Sequence, residues 1–398
     1  MLKRVAILAV ATALIGAARV LSGISPQSDA GSKPSTTQPT SPGTTPRSTA
    51  QRPRASGPPA RVRRARAHRR RRWRNPWRVS SYGEPAAEDS LAGEDPFVRA
   101  AAVEALGNWN GGVVVVDPNT GRVLSIVNQK LVLGSAFTPC STFKPIVGLA
   151  ALKEGIITPE TEFRLGRRTQ MNLTEALAHS NNPYFTRLGL MLGFPRLADY
   201  AHAFGLGEKA GDGIPGDVPG RFPSRPPKGI GVGFLASYGI EMQVTLLQMA
   251  AAVSAIANGG TLYELQYTRT PGDVTQFKPK VRRQLDDLAP FFPEVKEGLA
   301  AAVVYGTARL AYNPDEQIYG KTGTCSEDGA RLGWFISYAS EAQPRYVVVV
   351  LLRGGRLVYG PHAAEIAGRL YHGLRRREES ASTQSSQLTS SVGSSRDR

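Results

Sequence analysis

The pattern of apolar and polar positions changes several times between Pro96 and Leu374. Near the start of this stretch, "FVRAAAVEAL" has apolar residues at helical spacing and predicts a helix. The next segment, "GGVVVVDPNTGRVLSIVN", has two apolar runs around the turn-forming residues Asp117–Gly121 and predicts a β-hairpin. Later, the strand-like runs "EQIYGKTGT", "LGWFISYAS" and "RYVVVVLLR" precede a closing helix over Ala363–Leu374.

The middle of the chain has mostly helical spacing. From Ser141 to Leu152, apolar residues three or four positions apart predict a helix, and residues 155–310 continue this pattern between Gly- and Pro-rich loops. The longest periodic helix of this region is "MQVTLLQMAAAVSAIANGG". Strands at both ends with helices between them indicate an α+β fold. We expect an antiparallel five-stranded sheet, formed by the hairpin and the last three strands, flanked by helices and with an all-helical subdomain inserted.

Composition divides the rest of the 398 residues into segments without this pattern. Residues 1–24 place two basic residues ahead of an apolar run and predict an export segment, either a signal anchor or a cleaved signal peptide. Residues 25–95, rich in Ser, Thr and Pro and then in Arg, are predicted to be a disordered linker. The polar residues 375–398 are predicted to be a disordered tail, which leaves 96–374 as the folded domain.

An arginine-rich tract from Arg61 to Arg78 supplies most of the formal charge of +17. Such a tract is either a solvated, self-repelling segment or a docking element for anionic lipid headgroups or acidic wall polymers. The interleaved Trp73 and Trp77 also suit nucleic-acid binding. An export segment would place the tract away from nucleic acid, so no nucleic-acid partner is expected.

Ser141 and Lys144, in "CSTFK", form the first of three motifs with reactive groups. They lie one helical turn apart, so the lysine amine can take the proton of the serine hydroxyl if burial keeps that amine neutral. The helix start also offers backbone N–H groups to a developing anion. Alone, a Ser-x-x-Lys motif has a plainer interpretation, an ordinary helix start with a solvated lysine.

Two further motifs favour the catalytic interpretation over the plainer one. Ser180 and Asn182, in "HSNN", supply a second hydroxyl for proton relay and an amide for a substrate carbonyl or the Lys144 amine. Lys321, in "KTGT" on a predicted strand, can hold an anionic carboxylate. The residues expected to contact a bound substrate are Thr322, Gly323 and Thr324. Each motif is common alone, but the order S-x-x-K, S-x-N, K-T-G is specific.

The sequence resembles the transpeptidase domain of penicillin-binding proteins of the monofunctional class B type and, more distantly, the serine β-lactamases. The resemblance covers about residues 96–374 and includes "PCSTFKPIVGLAALKEGIITPET", "SNNPYFTRLG" and "QVTLLQMAAAVSAIANGGTLY". Two features depart from the family. The usual N-terminal pedestal domain is replaced by the linker and the arginine tract, and "FLASYG" stands where Gly-Gln-Gly is commoner.

The resemblance implies that Ser141 is acylated by the penultimate D-Ala of a peptidoglycan stem peptide, with Lys144 as the base. It assigns proton transfer and positioning to Ser180 and Asn182, and binding of the terminal carboxylate to Lys321 and Thr324. β-Lactam antibiotics would acylate the same serine. No metal or organic cofactor is implied.

The resemblance also suggests a disulfide between the only two cysteines, Cys140 and Cys325, because their motifs line one cleft in that fold. The alternative is a pair of small buried thiols. The implied location is the cell membrane, with the domain on the extracytoplasmic side, anchored by residues 1–24 or released to the periplasm if these residues are cleaved.

Three functions fit these motifs. The favoured one is a D,D-transpeptidase that cross-links peptidoglycan. The second is a β-lactamase or D,D-carboxypeptidase, in which water resolves the acyl-enzyme, but the sequence has no Glu-x-x-x-Asn loop of class A hydrolases in the corresponding region. The third is a non-catalytic β-lactam sensor or scaffold, for which no output domain is visible.

Overall fold

The structure, a computed structural model, covers most of the chain after the arginine tract. The residues it describes are 76–211, 213–228, 231–268, 270–340 and 343–393. They belong to a single compact unit, Arg71–Arg398.

The described residues form strands and helices in the following order along the chain. The strands are β1 (Gly111–Val116), β2 (Arg122–Val127), β3 (Phe163–Arg164), β4 (Gln170–Met171), β5 (Thr261–Tyr263), β6 (Gln266–Tyr267), β7 (Val281–Gln284), β8 (Ile318–Glu327), β9 (Ala330–Ala339) and β10 (Val347–Gly354). The helices are α1 (Pro96–Leu106), α2 (Gln129–Val132), α3 (Lys144–Lys153), α4 (Leu173–Ala178), α5 (Asn182–Ala203), α6 (Gly231–Tyr238), α7 (Leu246–Ala257), α8 (Pro271–Gln276), α9 (Phe292–Val304) and α10 (Gly360–Gly393). Short 3₁₀ turns span Cys140–Phe143, Asp286–Phe291 and Arg309–Ala311.

The main sheet has the strand order β6-β2-β1-β10-β9-β8. The hairpin and the last three strands pair antiparallel as predicted, which confirms the α+β class. The sheet has one more strand than expected, because β6 adds two residues parallel to β2. The inserted segment is mainly helical but not all-helical, since it contains the small sheets β3–β4 and β5–β7.

The four valines of β1, Val113–Val116, show how helices cover the sheet on both sides. Val114 and Val116 belong to a core that includes residues of α3, α4, α5, α7 and α9. Val113 and Val115 belong to a second core with α1 and α10. Successive side chains of a strand point to opposite faces, so an unbroken apolar run suits a central strand buried on both sides. The domain therefore has three layers, helix, sheet and helix.

Helix α7 starts later than its apolar pattern suggests. Thr245 is its N-cap and forms a capping box with Gln248, whose side chain accepts from the Thr245 N–H at 2.8 Å. The preceding Val244 is extended and forms a β-bridge with Phe137. This bridge connects α7 to the segment that leads into the Ser141 motif.

Residues 76–95 pack against the domain, although the sequence assigns them to the linker. The side chains of Asp89 and Glu94 are buried and form ion pairs with Arg99 at 2.7 and 3.5 Å. Glu94 also accepts a hydrogen bond from Ser125 Oγ at 2.9 Å. These buried charges compensate one another, so the segment can be buried against the domain. The folded part of the chain therefore begins earlier than predicted.

The closing helix is longer than predicted. α10 runs to Gly393 and so includes most of residues 375–398, which the sequence assigns to a disordered tail. In the described part of the chain, no helix combines the length and apolar content needed to cross a bilayer. The predicted export segment, 1–24, and linker residues 25–75 lie outside the described residues.

Candidate active site

Ser141 lies in the 3₁₀ turn Cys140–Phe143, called here the Ser141 turn, which leads directly into α3. Sequence periodicity predicts a helix from Ser141, whereas the α-helix begins at Lys144. In a 3₁₀ turn, positions three apart are eclipsed, so Ser141 and Lys144 share one face. Ser141 is partly exposed. Its hydroxyl forms no hydrogen bond with the rest of the described protein, so it is open to a ligand.

Lys144 is completely buried, and its amine is held by the S-x-N motif. Its Nζ lies 2.7 Å from the main-chain oxygen of Ser180, 3.2 Å from Ser180 Oγ and 2.6 Å from Asn182 Oδ1. Burial, together with the charge of Lys321, lowers the pKa of Lys144 to about 6. The Lys144 amine is therefore largely neutral at pH 7.

The S-x-N motif forms the sharp connection between α4 and α5. Ser180 has a left-handed backbone with φ of 53°, which is uncommon for a serine and marks a tightly constrained turn. Asn181 caps α5 by accepting from Tyr184 N at 2.9 Å. The cap fixes the first turn of α5, where Asn182 points its carbonyl oxygen at Lys144.

The K-T-G segment lies beside the Ser141 turn, because β8 is an edge strand of the main sheet. Gly323 is so close to the turn that an added Cβ would lie 3.0 Å from Pro139 O and 3.1 Å from Thr142 Cγ2. A side chain at this position would require the strand or the turn to move by a few tenths of an ångström. The structure thus brings the S-x-x-K, S-x-N and K-T-G motifs into one site.

Lys321 is completely buried, and its Nζ donates to Thr322 O at 3.0 Å. Burial lowers the pKa of Lys321 to about 7. Thr322 Oγ1 lies 2.6 Å from Thr307 Oγ1, whereas Thr324 is exposed and its Oγ1 accepts from Gly360 N at 2.8 Å. Since the Thr324 oxygen is the acceptor in that bond, its hydroxyl proton remains available to a ligand.

Cys140 and Cys325 form a disulfide that joins the Ser141 turn to β8. Their Cα atoms are 5.6 Å apart, and the two residues are 185 positions apart in sequence. Cys140 has a φ of 54°, a conformation that is uncommon for residues other than glycine. The covalent bond fixes this residue next to Ser141.

Replacing both cysteines by serine is expected to lower the free energy of unfolding by up to about 5 kcal/mol, because the bond closes a loop of this length in the unfolded chain. Denaturant unfolding of the oxidised protein and of the double variant measures the difference. A reducing agent should destabilise the wild type and leave the variant unchanged. Equal stability of the two proteins, or two free thiols in the native protein, would contradict a stabilising bond.

A sequence model described as "Penicillin binding protein transpeptidase domain" matches residues 111–372. The chain belongs to this family. The match begins at β1 and ends within α10, and it contains all three motifs of the site.

Curated relatives that match the chain are longer proteins. The stage V sporulation protein D of Bacillus subtilis is 29% identical over 288 residues, which cover 64% of this chain and 44% of the relative. The peptidoglycan D,D-transpeptidase FtsI of Escherichia coli is 25% identical over 349 residues, which cover 75% of this chain and 58% of the relative. The chain therefore spans about half the length of these relatives.

Solved structures share the fold. The transpeptidase domain of penicillin-binding protein 3 from Burkholderia pseudomallei superposes with a TM-score of 0.61 at 24% identity, covering 74% of this chain and 97% of that domain. The D,D-transpeptidase domain of a peptidoglycan glycosyltransferase from Eggerthella lenta gives a TM-score of 0.58 at 21% identity, covering 71% and 81%. At this level of identity the likeness concerns the fold alone.

Sequence reasoning missed three residues that complete the site. Thr307 and Gly360 hydrogen-bond to the K-T-G strand, and Ser237 of α6 hydrogen-bonds to Asn182. Each lies 15 or more positions from its partner and belongs to none of the three motifs. For Ser237, the signal in the sequence was that "FLASYG", which contains it, departs from the commoner family pattern.

Proposed function

We propose that this protein is a peptidoglycan D,D-transpeptidase that forms an acyl-enzyme on Ser141 and also binds β-lactams covalently. The observation that carries this proposal is the buried Lys144 amine beside Ser141, enclosed by the S-x-N motif. Membership of the transpeptidase family and the D,D-transpeptidase names of relatives support the same activity.

The hydrogen bonds of Lys144 explain how it can act as a base. A neutral amine has two N–H bonds and one lone pair. Its two nearest acceptors, Ser180 O and Asn182 Oδ1, are carbonyl oxygens that can only accept, so they take the two N–H bonds. The lone pair is then left for a hydroxyl proton, from Ser141 or through Ser180.

In the proposed acylation, Ser141 Oγ attacks the carbonyl carbon of the penultimate D-Ala, and its proton passes to the Lys144 amine. The bond from that carbon to the nitrogen of the terminal D-Ala breaks, and this nitrogen takes the proton back from Lys144 through the Ser180 hydroxyl. The backbone N–H groups of Ser141 and Thr324 stabilise the oxyanion in this proposal.

The acceptor amine of a second stem peptide then attacks the ester carbonyl and gives a proton to Lys144. The ester bond breaks, a peptide cross-link forms, and Ser141 recovers a proton. The charged form of Lys321 and the Thr324 hydroxyl hold the terminal carboxylate of the donor. Thr322 and Gly323 lie between these two residues in β8.

In this proposal, the domain lies on the outer face of the cell membrane. Residues 1–24 would anchor it there, or release it to the periplasm if they are cleaved. The arginine tract, Arg61–Arg78, would then meet anionic lipid or acidic wall polymer. A disulfide next to the reactive serine suits an oxidising compartment.

The lifetime of the penicillin adduct tests this function. Intact-protein mass after benzylpenicillin should increase by one drug molecule and remain increased for many minutes, because a transpeptidase excludes water from its acyl-enzyme. Rapid loss of the adduct with release of hydrolysed drug would assign the protein to the β-lactamases. A stable adduct without cross-linking of stem peptides would favour a sensor or scaffold.

A further inference from the structure

Ser237 is a buried hydroxyl in α6 that none of the three motifs contains. It has no solvent exposure, and its Oγ lies 3.0 Å from the main-chain oxygen of Asn182 and 3.3 Å from Asn182 Oδ1. A hydroxyl buried without a partner would be costly, and here both available acceptors belong to one residue. The contact therefore links α6 to the first residue of α5.

Asn182 Oδ1 has two donors close to it, Ser237 Oγ and Lys144 Nζ at 2.6 Å. An amide oxygen at this position accepts from both, whereas an amide NH₂ would have to donate and would occupy the lone pair that Lys144 needs as a base. The orientation of the Asn182 amide is thereby fixed, with Nδ2 directed away from Lys144. Among the described residues, Nδ2 has no acceptor, so it can donate to a bound carbonyl.

The end of α6 is also tied to the Ser141 turn. Gly239 has a φ of 65°, and an added Cβ would lie 2.6 Å from Pro139 Cγ and 3.1 Å from Cys140 O. Only glycine fits this contact without strain. Ser237 is two residues before Gly239, so the hydroxyl that orients Asn182 is held close to the turn that carries Ser141.

We propose that Ser237 is a positioning residue for acylation, holding Asn182 so that Oδ1 faces the Lys144 amine and Nδ2 faces the substrate carbonyl. This inference rests on the proposed function. It also gives a role to part of the unusual "FLASYG" segment.

A double-mutant cycle with benzylpenicillin tests the proposal. Ser237→Ala is expected to lower the second-order rate constant of acylation about tenfold, equivalent to about 1.4 kcal/mol. In an Asn182→Ala background the same change should alter the rate less than about twofold, because Ser237 acts only through Asn182. Each rate constant is calculated only from the protein that carries the adduct at the end of the reaction. Misfolded molecules, which form no adduct, therefore do not affect the rate constant.

Ser254→Ala is the matched control, because Ser254 is a buried helical serine whose hydroxyl has no hydrogen-bond partner among the residues that the structure describes. Its acylation rate should equal that of the wild type. If Ser237→Ala does not fold, Ser237→Cys, with a thiol that is only a weak donor, takes its place with the same expectation.

An unchanged rate in Ser237→Ala, or the same tenfold loss in the Asn182→Ala background, would overturn the positioning role. Failure of the wild-type protein to form any adduct would instead reject the proposed function. The two failures are therefore distinguished by the wild-type measurement alone.

Discussion

Ser141→Ala is expected to abolish covalent labelling by benzylpenicillin, so that the intact mass of the variant stays unchanged at any drug concentration. Alanine has no atom that can form the ester, and the neighbouring Ser180 is already engaged with Lys144 at 3.2 Å. The variant should keep its fold, because Ser141 is partly exposed and its hydroxyl forms no hydrogen bond with other described residues.

Intact-protein mass and thermal unfolding together check this expectation. The melting temperature of Ser141→Ala should lie within a few degrees of the wild type, and the Ser254→Ala protein should be labelled fully. Labelling of Ser141→Ala at the wild-type rate would place the nucleophile elsewhere and remove the basis of the proposed function.

The second large effect is expected at Lys144. Lys144→Met should slow acylation by about 10²- to 10⁴-fold, the range contributed by a general base. Lys144→Arg should be equally slow, because a guanidinium is always protonated in proteins and cannot accept a proton. Lys153→Met serves as the matched control, since Lys153 is on the same helix but pairs with Asp287 at the surface. Its rate should not change.

The pH dependence of acylation gives an independent check on the same residue. Because the free base of Lys144 is the reactive form, the rate constant should rise as pH increases through about 6. Above about 7, Lys321 loses its proton and attracts a substrate carboxylate less, so the rate constant should fall again. Stopped-flow acylation between pH 5 and pH 11 measures this bell shape, and a rate that rises only near pH 10 would exclude a buried neutral Lys144.

Local patterns were sufficient for much of the fold. The turn at Asp117–Gly121 and the apolar runs around it predicted the hairpin, and β8, β9 and β10 follow the three predicted runs closely. By contrast, β6 could not be predicted, because two residues with no alternation join the sheet only through tertiary contact with β2. The start of α7 was missed for a related reason, since the bridge between Val244 and Phe137 overrides helical periodicity.

The residues of the candidate site also fall into a group that the sequence predicts and a group that it does not. The motif residues are visible in the sequence, because each belongs to a short local pattern. Residues that support them are not, since their contacts span long separations: Ser237 is 55 positions from Asn182, and Gly360 is 36 positions from Thr324. The packing of residues 76–95 was missed because a polar composition does not reveal that Asp89 and Glu94 meet Arg99 in the fold.

The disulfide makes a closed covalent ring of the chain from Cys140 to Cys325. Ser141, Ser180, Asn182 and Lys321 all lie inside this ring. A single proteolytic cut anywhere within it would leave one molecule, which would separate into two fragments only after reduction. Truncation at either terminus would leave the ring intact.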